Sequence, residues 1–295
     1  AEGGAGKTMA LCQLALSVAT GKSWLGTFTV PTPGRVLLAL GEEDAEEVRR
    51  RLYNAGRAMG LSSNERRLAL ERIIMLPLAG VPCSVVENGD NGNQNETDFF
   101  AWLQGKLSES GEPWRLLIFD PLSRFAGPEA EKDNAAATRF VQAIEALTNM
   151  PDKPTAIVAH HTNKGARKAG QDVDTSSARG SSALTDGARW VATIAIDRLT
   201  FEDHDVARRL AEVVTIEVTK NNYASFKSGI ELRRDSENNG ALIAIDETDK
   251  ATVKTAREKA ISQSQLAEKR ANTAARNADT RAAEIDMQRK KLGLD

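Results

Sequence analysis

Hydrophobic residues in the first half of the chain fall into two kinds of run that alternate. Two short unbroken runs, Arg35-Val36-Leu37-Leu38-Ala39-Leu40 and Leu116-Leu117-Ile118-Phe119, predict buried strands, as in the interior of a parallel sheet, and Arg72 to Leu78 and Thr155 to Ala159 are further strand candidates. Between them lie segments with helical spacing. Lys7 to Thr20 is apolar nearly all round (Met9, Ala10, Leu11, Leu14, Leu16, Val18) and predicts a buried helix stopped by Gly21. Asp44 is placed to cap a helix carrying Val48, Leu52 and Ala55 on one face. Thr97 is placed to cap one carrying Phe100, Leu103 and Leu107, and Asn134 opens one whose Ala137, Val141, Ile144 and Leu147 face inward. The Asn- and Gly-rich stretch Glu87 to Asn95 predicts a loop.

Alternating strands and helices imply an α/β fold: an open, mostly parallel sheet with helices on both faces. After a long polar segment, Thr162 to Arg179, four strand-like runs follow closely: Val191 to Ile196, Val213 to Val218, Ile230 to Leu232 and Ala241 to Ile245. They predict an antiparallel extension of the sheet. From about Ala251 the chain turns to Ala, Gln, Lys, Arg and Glu, which predicts a solvated helix or linker with a basic bias. The expected division is a domain over 1–250 and a charged helical tail over 251–295.

Ligands of such sheets sit at the carboxyl ends of the strands. Three polar groups fall there: Glu43 just past the run ending at Leu40, Asp120, and His160-His161. The strongest signal is Ala1-Glu2-Gly3-Gly4-Ala5-Gly6-Lys7-Thr8, directly before a helix. Small residues let backbone N–H groups curl around phosphate oxygens, and the helix N-terminus favours the anion. Lys7 is placed to reach the β- and γ-phosphates of a nucleotide, and Thr8 to offer its hydroxyl to Mg²⁺. Asp120, a carboxylate after four apolar residues, is the expected holder of that metal. The chain begins at the loop itself, so the strand expected to feed it is absent from the sequence.

Other candidates have competing readings. Glu43 is a carboxylate suited to orienting or deprotonating a water, and equally an acidic residue favoured near a helix start. His160 and His161 suit contact with a terminal phosphate. Zinc is the rival ligand, although no Cys or third His is near in sequence. The Thr162 to Arg179 segment carries Lys164, Arg167 and Lys168, cations that suit a nucleic-acid backbone, without aromatic residues for stacking.

Composition narrows the partners. Lys+Arg is 39 against Asp+Glu 41, a net charge of -2, so any nucleic-acid contact must come from a local basic patch. The two cysteines, Cys12 and Cys83, have no metal or redox spacing, which points to a cytoplasmic protein. No apolar run is long enough to span a membrane.

Taken in order, the phosphate loop, Glu43-Asp44, Asp120-Pro121-Leu122-Ser123-Arg124-Phe125, His160-His161 with Asn163-Lys164-Gly165, Arg179-Gly180-Ser181-Ser182-Ala183-Leu184-Thr185-Asp186, Arg189-Trp190 and Lys220-x-Asn222-Tyr223 resemble the RepA-type hexameric replicative DNA helicases, a RecA-like branch of the P-loop ATPases found in plasmids and phages. The resemblance runs from Ala1 to about Arg234. It implies an ATPase using ATP and Mg²⁺, assembled as a homo-oligomeric ring, a hexamer, that moves on single-stranded DNA. It implies cofactor contacts along Glu2, Gly3, Gly4, Ala5, Gly6, Lys7 and Thr8, and a metal site at Thr8 and Asp120. Glu43 matches the catalytic carboxylate, His161 the γ-phosphate sensor, and Arg189 an arginine finger for the neighbouring subunit's ATP. Arg124 joins the basic loop as a nucleic-acid candidate. The residues alone leave Arg189 equally readable as a surface salt-bridge partner. The alternative function is an ATP-switched DNA-binding assembly factor or helicase loader without processive unwinding. A small-molecule kinase fits less well, since no acceptor pocket or lid is legible.

Overall fold

A computed structural model describes residues 4–89, 94–109, 111–127, 129–161, 182–223 and 229–291. The four expected strands form one parallel sheet: β1 (Arg35–Leu40), β2 (Ile73–Pro77), β5 (Trp114–Asp120) and β6 (Thr155–Val158), in the order β2-β1-β5-β6. Residue parity explains why the runs of β1 and β5 are unbroken. Leu37, Ala39, Leu117 and Phe119 face one hydrophobic cluster, and Val36, Leu38, Leu40, Leu116 and Ile118 face another.

Helices cover both faces. On the first lie α4 (Asp98–Ser108), through Phe100, Leu103 and Leu107, and α6 (Asn134–Thr148), through Phe140, Ala143, Ile144 and Leu147. On the second lie α1 (Lys7–Thr20), α2 (Ala45–Ala58) and α3 (Ser63–Arg72). The expected caps are present: the Asp44 side chain accepts from the Glu47 N–H and the Thr97 hydroxyl from that of Phe100. Gly21 closes α1 in the left-handed region, at φ 86°. Helix α6 opens at Asn134 as expected, and the Asp133 side chain caps it by accepting from the Ala136 N–H.

Other features differ from expectation. Helix α3 begins with a capping box between Ser62 and Glu65 but buries only Ala69, too faint a stripe to read as periodic. Part of the Glu87 to Asn95 stretch pairs as a two-stranded ribbon, β3 (Val86–Asn88) with β4 (Gln94–Glu96). A short helix, α5 (Leu122–Phe125), follows Asp120.

The later strands are antiparallel as expected: β7 (Trp190–Arg198), β8 (Glu212–Asn221), β9 (Gly229–Asp235) and β10 (Ala241–Ala244). Among the described residues they form a separate sheet, ordered β10-β9-β8-β7, instead of lengthening the parallel one. The cross-strand row Ile196, Val214, Leu232 packs with Ala5 and Ala10, so α1 lies between the two sheets. That position accounts for its all-round apolar character. Short helices α7 (Ser182–Gly187) and α8 (His204–Leu210) flank β7.

The final helix, α9 (Glu247–Lys291), has 45 residues, so it is about 70 Å long. Its start is docked: Val253 is fully buried, and Arg257 pairs with Asp197 and Glu231. Every described side chain from Glu258 onward is exposed. Among the described residues no helix is long and apolar enough to cross a membrane.

Candidate functional site

The order of the parallel sheet reverses direction between β1 and β5, and a crevice opens at such a point beyond the strands' carboxyl ends. Here Gly41, the residue after β1, donates its N–H to the Asp120 carbonyl at 2.8 Å. A Cβ on Gly41 would stand 2.7 Å from Cβ and Cγ of Arg124, so only glycine lets the two strand exits lie this close.

The Gly-rich loop leads into the same place. Gly4 and Gly6 adopt positive φ, 78° and 92°, and α1 starts at once at Lys7. Gly6 is the N-cap and offers no side-chain acceptor, so the first-turn amides have no cap. Those amides and the helix field suit an anion. Ala5 is fully buried behind the loop. Glu2 and Gly3 lie outside the described residues.

Lys7, Thr8, Asp120 and His161 converge although they are distant in sequence. Lys7 Nζ is 3.0 Å from Asp120 Oδ1, with side-chain exposures of 12% and 4%. The Thr8 hydroxyl donates to Asp120 Oδ2 at 2.8 Å. His161 Nε2 is 3.5 Å from Lys7 Nζ. Burial and then the Lys7 charge lower the His161 pKa, which favours a neutral ring able to accept from the ammonium. A hydroxyl beside a carboxylate is an oxygen donor pair that suits a hard divalent cation such as Mg²⁺.

Glu43 stands at the β1 exit, where its carboxylate is 3.1 Å from Arg51 Nη2. Burial raises its pKa, and the Arg51 guanidinium partly opposes this. Sequence reasoning missed Arg51. Its legible signal is the Glu47–Arg51 spacing of four on α2, since the same guanidinium bridges both carboxylates. His160 Nδ1 is 3.9 Å from Glu131, away from the Lys7 contact that His161 makes. Among the described residues no group of three His, Cys, Asp or Glu side chains could hold a metal, so the two histidines have no zinc partners there.

Two candidates are not brought into this cluster. Arg189 is exposed at the entry to β7, where its carbonyl accepts from the Asn222 N–H. Arg124 packs its stem on Gly41 and is itself exposed at the same rim. Lys164, Arg167 and Lys168 lie outside the described residues, as do Asn163 and Arg179.

A DnaB-like replicative helicase, solved for its interactions with primase, superimposes with a TM-score of 0.56 and 12% identity, covering 83% of this chain. The match spans 57% of that helicase, little more than half its length. A second solved structure, an isolated ATPase domain, superimposes with a TM-score of 0.55 and 12% identity, covering 83% of this chain and 82% of its own. Identities this low speak for the fold, which is the RecA-like α/β type. A family model described as AAA domain matches residues 1–167, more than half of the chain, and takes in the phosphate loop, Asp120 and His161. On that match, this chain belongs to the AAA domain family.

Proposed function

We propose that the protein is an ATPase that couples hydrolysis to movement on single-stranded DNA, as a ring-forming replicative helicase of the RepA type. The observation that carries this reading is the meeting of Lys7 and Thr8 with Asp120, 3.0 and 2.8 Å apart across more than a hundred residues of sequence. A Gly-rich loop, a helix start and a carboxylate at the strand-order reversal form one anionic-ligand site.

In this mechanism the amides of Gly4 to Thr8 bind the phosphate oxygens. Lys7 exchanges its Asp120 partner for the β- and γ-phosphates. Thr8 and Asp120 hold Mg²⁺, which when bound neutralises charge on those phosphates. Glu43, held by Arg51, orients the attacking water and takes its proton. His161, neutral beside Lys7, contacts the terminal phosphate and passes its loss to the segment that follows, where Lys164, Arg167 and Lys168 contact DNA. Arg189 is exposed and outside its own site, as suits a finger that completes the neighbour's site. A ring of six follows if each subunit supplies one finger. The 1–250 portion is the motor and 251–295 an extension carried on α9.

The test is hydrolysis with and without single-stranded DNA, together with strand separation on a forked duplex. The expected result is a DNA-stimulated ATPase that unwinds, with both activities lost in Lys7→Ala. Hydrolysis indifferent to DNA rejects the motor reading. DNA-dependent assembly without unwinding selects the loader or assembly-factor alternative.

A further inference from the structure

Beside the phosphate loop stands a cation that the mechanism above does not use. Arg234, on β9, donates from Nη2 to the carbonyl of Gly4. The same nitrogen is 3.8 Å from where a Cβ of Gly6 would be, so the guanidinium backs the loop at two of its glycines. Its own support is cross-strand. Nε is 3.2 Å from Oε2 of Glu212 on β8, an ion pair whose angle does not make it a hydrogen bond. Glu212 also faces Arg198 on β7 at 3.5 Å. Among the described residues, two guanidinium groups thus share the Glu212 carboxylate.

The residue paired with Arg234 across the strands adds a second grip. Leu242, on β10, is its register partner. A Leu242 methyl carbon lies 3.4 Å from the position of a Gly6 Cβ, and the Leu242 backbone is held at both ends by the buried Gln13 amide of α1, each bond 2.9 Å. The antiparallel sheet therefore holds the loop through its backbone carbonyl and holds the helix behind the loop through Gln13.

We infer that Arg234 is a positioning residue for the phosphate loop: it ties the Gly4 carbonyl outward, leaves the loop amides facing the ligand, and adds positive field for a triphosphate. This rests on the nucleotide reading of the loop. The mechanism is electrostatic and geometric. A carbonyl turned toward a phosphate repels it, and a guanidinium on that carbonyl holds the peptide in the opposite sense. Because Arg234 acts on the loop and not on the reacting atoms, its loss weakens binding and leaves the chemical step intact.

The experiment is equilibrium binding of a fluorescent ATP analogue to the full chain, with steady-state hydrolysis and thermal melting of the same preparations. Arg234→Ala is expected to raise Kd and KM about tenfold, the loss of one charge-assisted hydrogen bond, with kcat within about twofold and an unchanged melting midpoint. Arg234→Lys, which keeps a cationic donor, is expected within about threefold of wild type. Lys7→Ala separates this inference from the reading beneath it. If Lys7→Ala loses binding while Arg234→Ala binds like wild type, the inference falls and the nucleotide site stands. If affinity falls in Arg234→Ala only together with the melting midpoint, and Lys does not restore it, the role is structural and the inference falls too. If Lys7→Ala itself binds like wild type, the phosphate-loop reading fails and takes the inference with it.

Discussion

The two four-stranded sheets place their charged groups in opposite ways. At the carboxyl edge of the parallel sheet, charges are paired within the subunit: Lys7 and Thr8 with Asp120, Glu43 with Arg51. At the β7–β8 end of the antiparallel sheet the groups point out. Arg189 is exposed, Trp190 is 40% exposed and Tyr223 80%. Lys220, on the same hairpin, instead donates to the carbonyls of Thr185 and Asp186 at the end of α7. One region gathers its charged groups into a cluster that suits an anionic ligand; the other leaves large side chains exposed. In the ring proposed above, the second region of one subunit would meet the first region of the next.

The largest effect should come from breaking that relation. Arg189→Ala is expected to lower ATP turnover about 10³-fold, the lower range for an arginine finger, with nucleotide affinity and melting midpoint unchanged because the side chain is exposed. Mixing subunits decides whether the residue acts across an interface. In an equimolar mixture of Lys7→Ala and Arg189→Ala, each dead alone, about a quarter of the sites pair an intact pocket with an intact finger, and activity should return in that proportion. A mixture as inactive as its components would place Arg189 and Lys7 in the same site or remove the finger role.

Within the pocket, Glu43→Gln is expected to lower turnover about 10²-fold with little change in ATP affinity, as for a lost general base. Its pH dependence has a defined sign. Burial raises the Glu43 pKa and Arg51 opposes the rise, so Arg51→Ala should move the acid limb of the rate profile to higher pH. For stability, a raised carboxyl pKa makes a contribution that is full below the unfolded value and lost as pH rises through the folded one. An acid limb that stays in place in Arg51→Ala would separate Glu43 from the proton transfer.

A smaller effect sharpens the antiparallel side. Arg257 of α9 bridges Asp197 on β7 and Glu231 on β9. Its side chain is 31% exposed and theirs 18% and 22%, so Arg257→Ala is expected to cost about 2 kcal/mol, less than a fully buried pair. Lys259, two residues on, pairs with Glu202, whose side chain is 94% exposed, and Lys259→Ala should change stability by less than about 0.5 kcal/mol. Denaturant melts of both variants check the contrast. Equal losses would mean that α9 is held by its exposed face and not by this anchor.

The same contrast explains what the sequence could tell. Strands β1 and β5 were legible because both faces of the parallel sheet are covered, leaving Val36 to Leu40 and Leu116 to Phe119 unbroken by polar residues. Asp120 and Lys7 were legible because the chemistry of each is tied to a local signature, a strand end or a glycine loop. Arg234 was not, since what matters there is a contact with a distant backbone carbonyl that leaves no local pattern, and Arg51 showed only its spacing to Glu47 and not its contact with Glu43. The separateness of the antiparallel sheet was equally hidden: alternation along β8 marks a strand with one covered face but not which neighbour it pairs with. Helix α3, with Ala69 its single buried residue, shows that a capping box can be a better guide to a helix than its hydrophobic stripe.

The smallest expected effect is a proton equilibrium, and it reads the pocket directly. His161 is one of three histidines, which makes its ring resonances assignable by substitution. Burial, then the Lys7 ammonium, depress its pKa from 6.5, so in the free protein its NMR titration should fall below that value. The linked stability is present above the unfolded pKa and is lost as pH falls through the depressed one. Lys7→Ala should raise the midpoint by removing the cation. A bound triphosphate should raise it as well, because it draws Lys7 away and brings negative charge to the ring. A midpoint in the free protein at or above 6.5, or one that does not move with nucleotide, would detach His161 from the phosphate site and leave Lys7 and Asp120 to define the pocket without it.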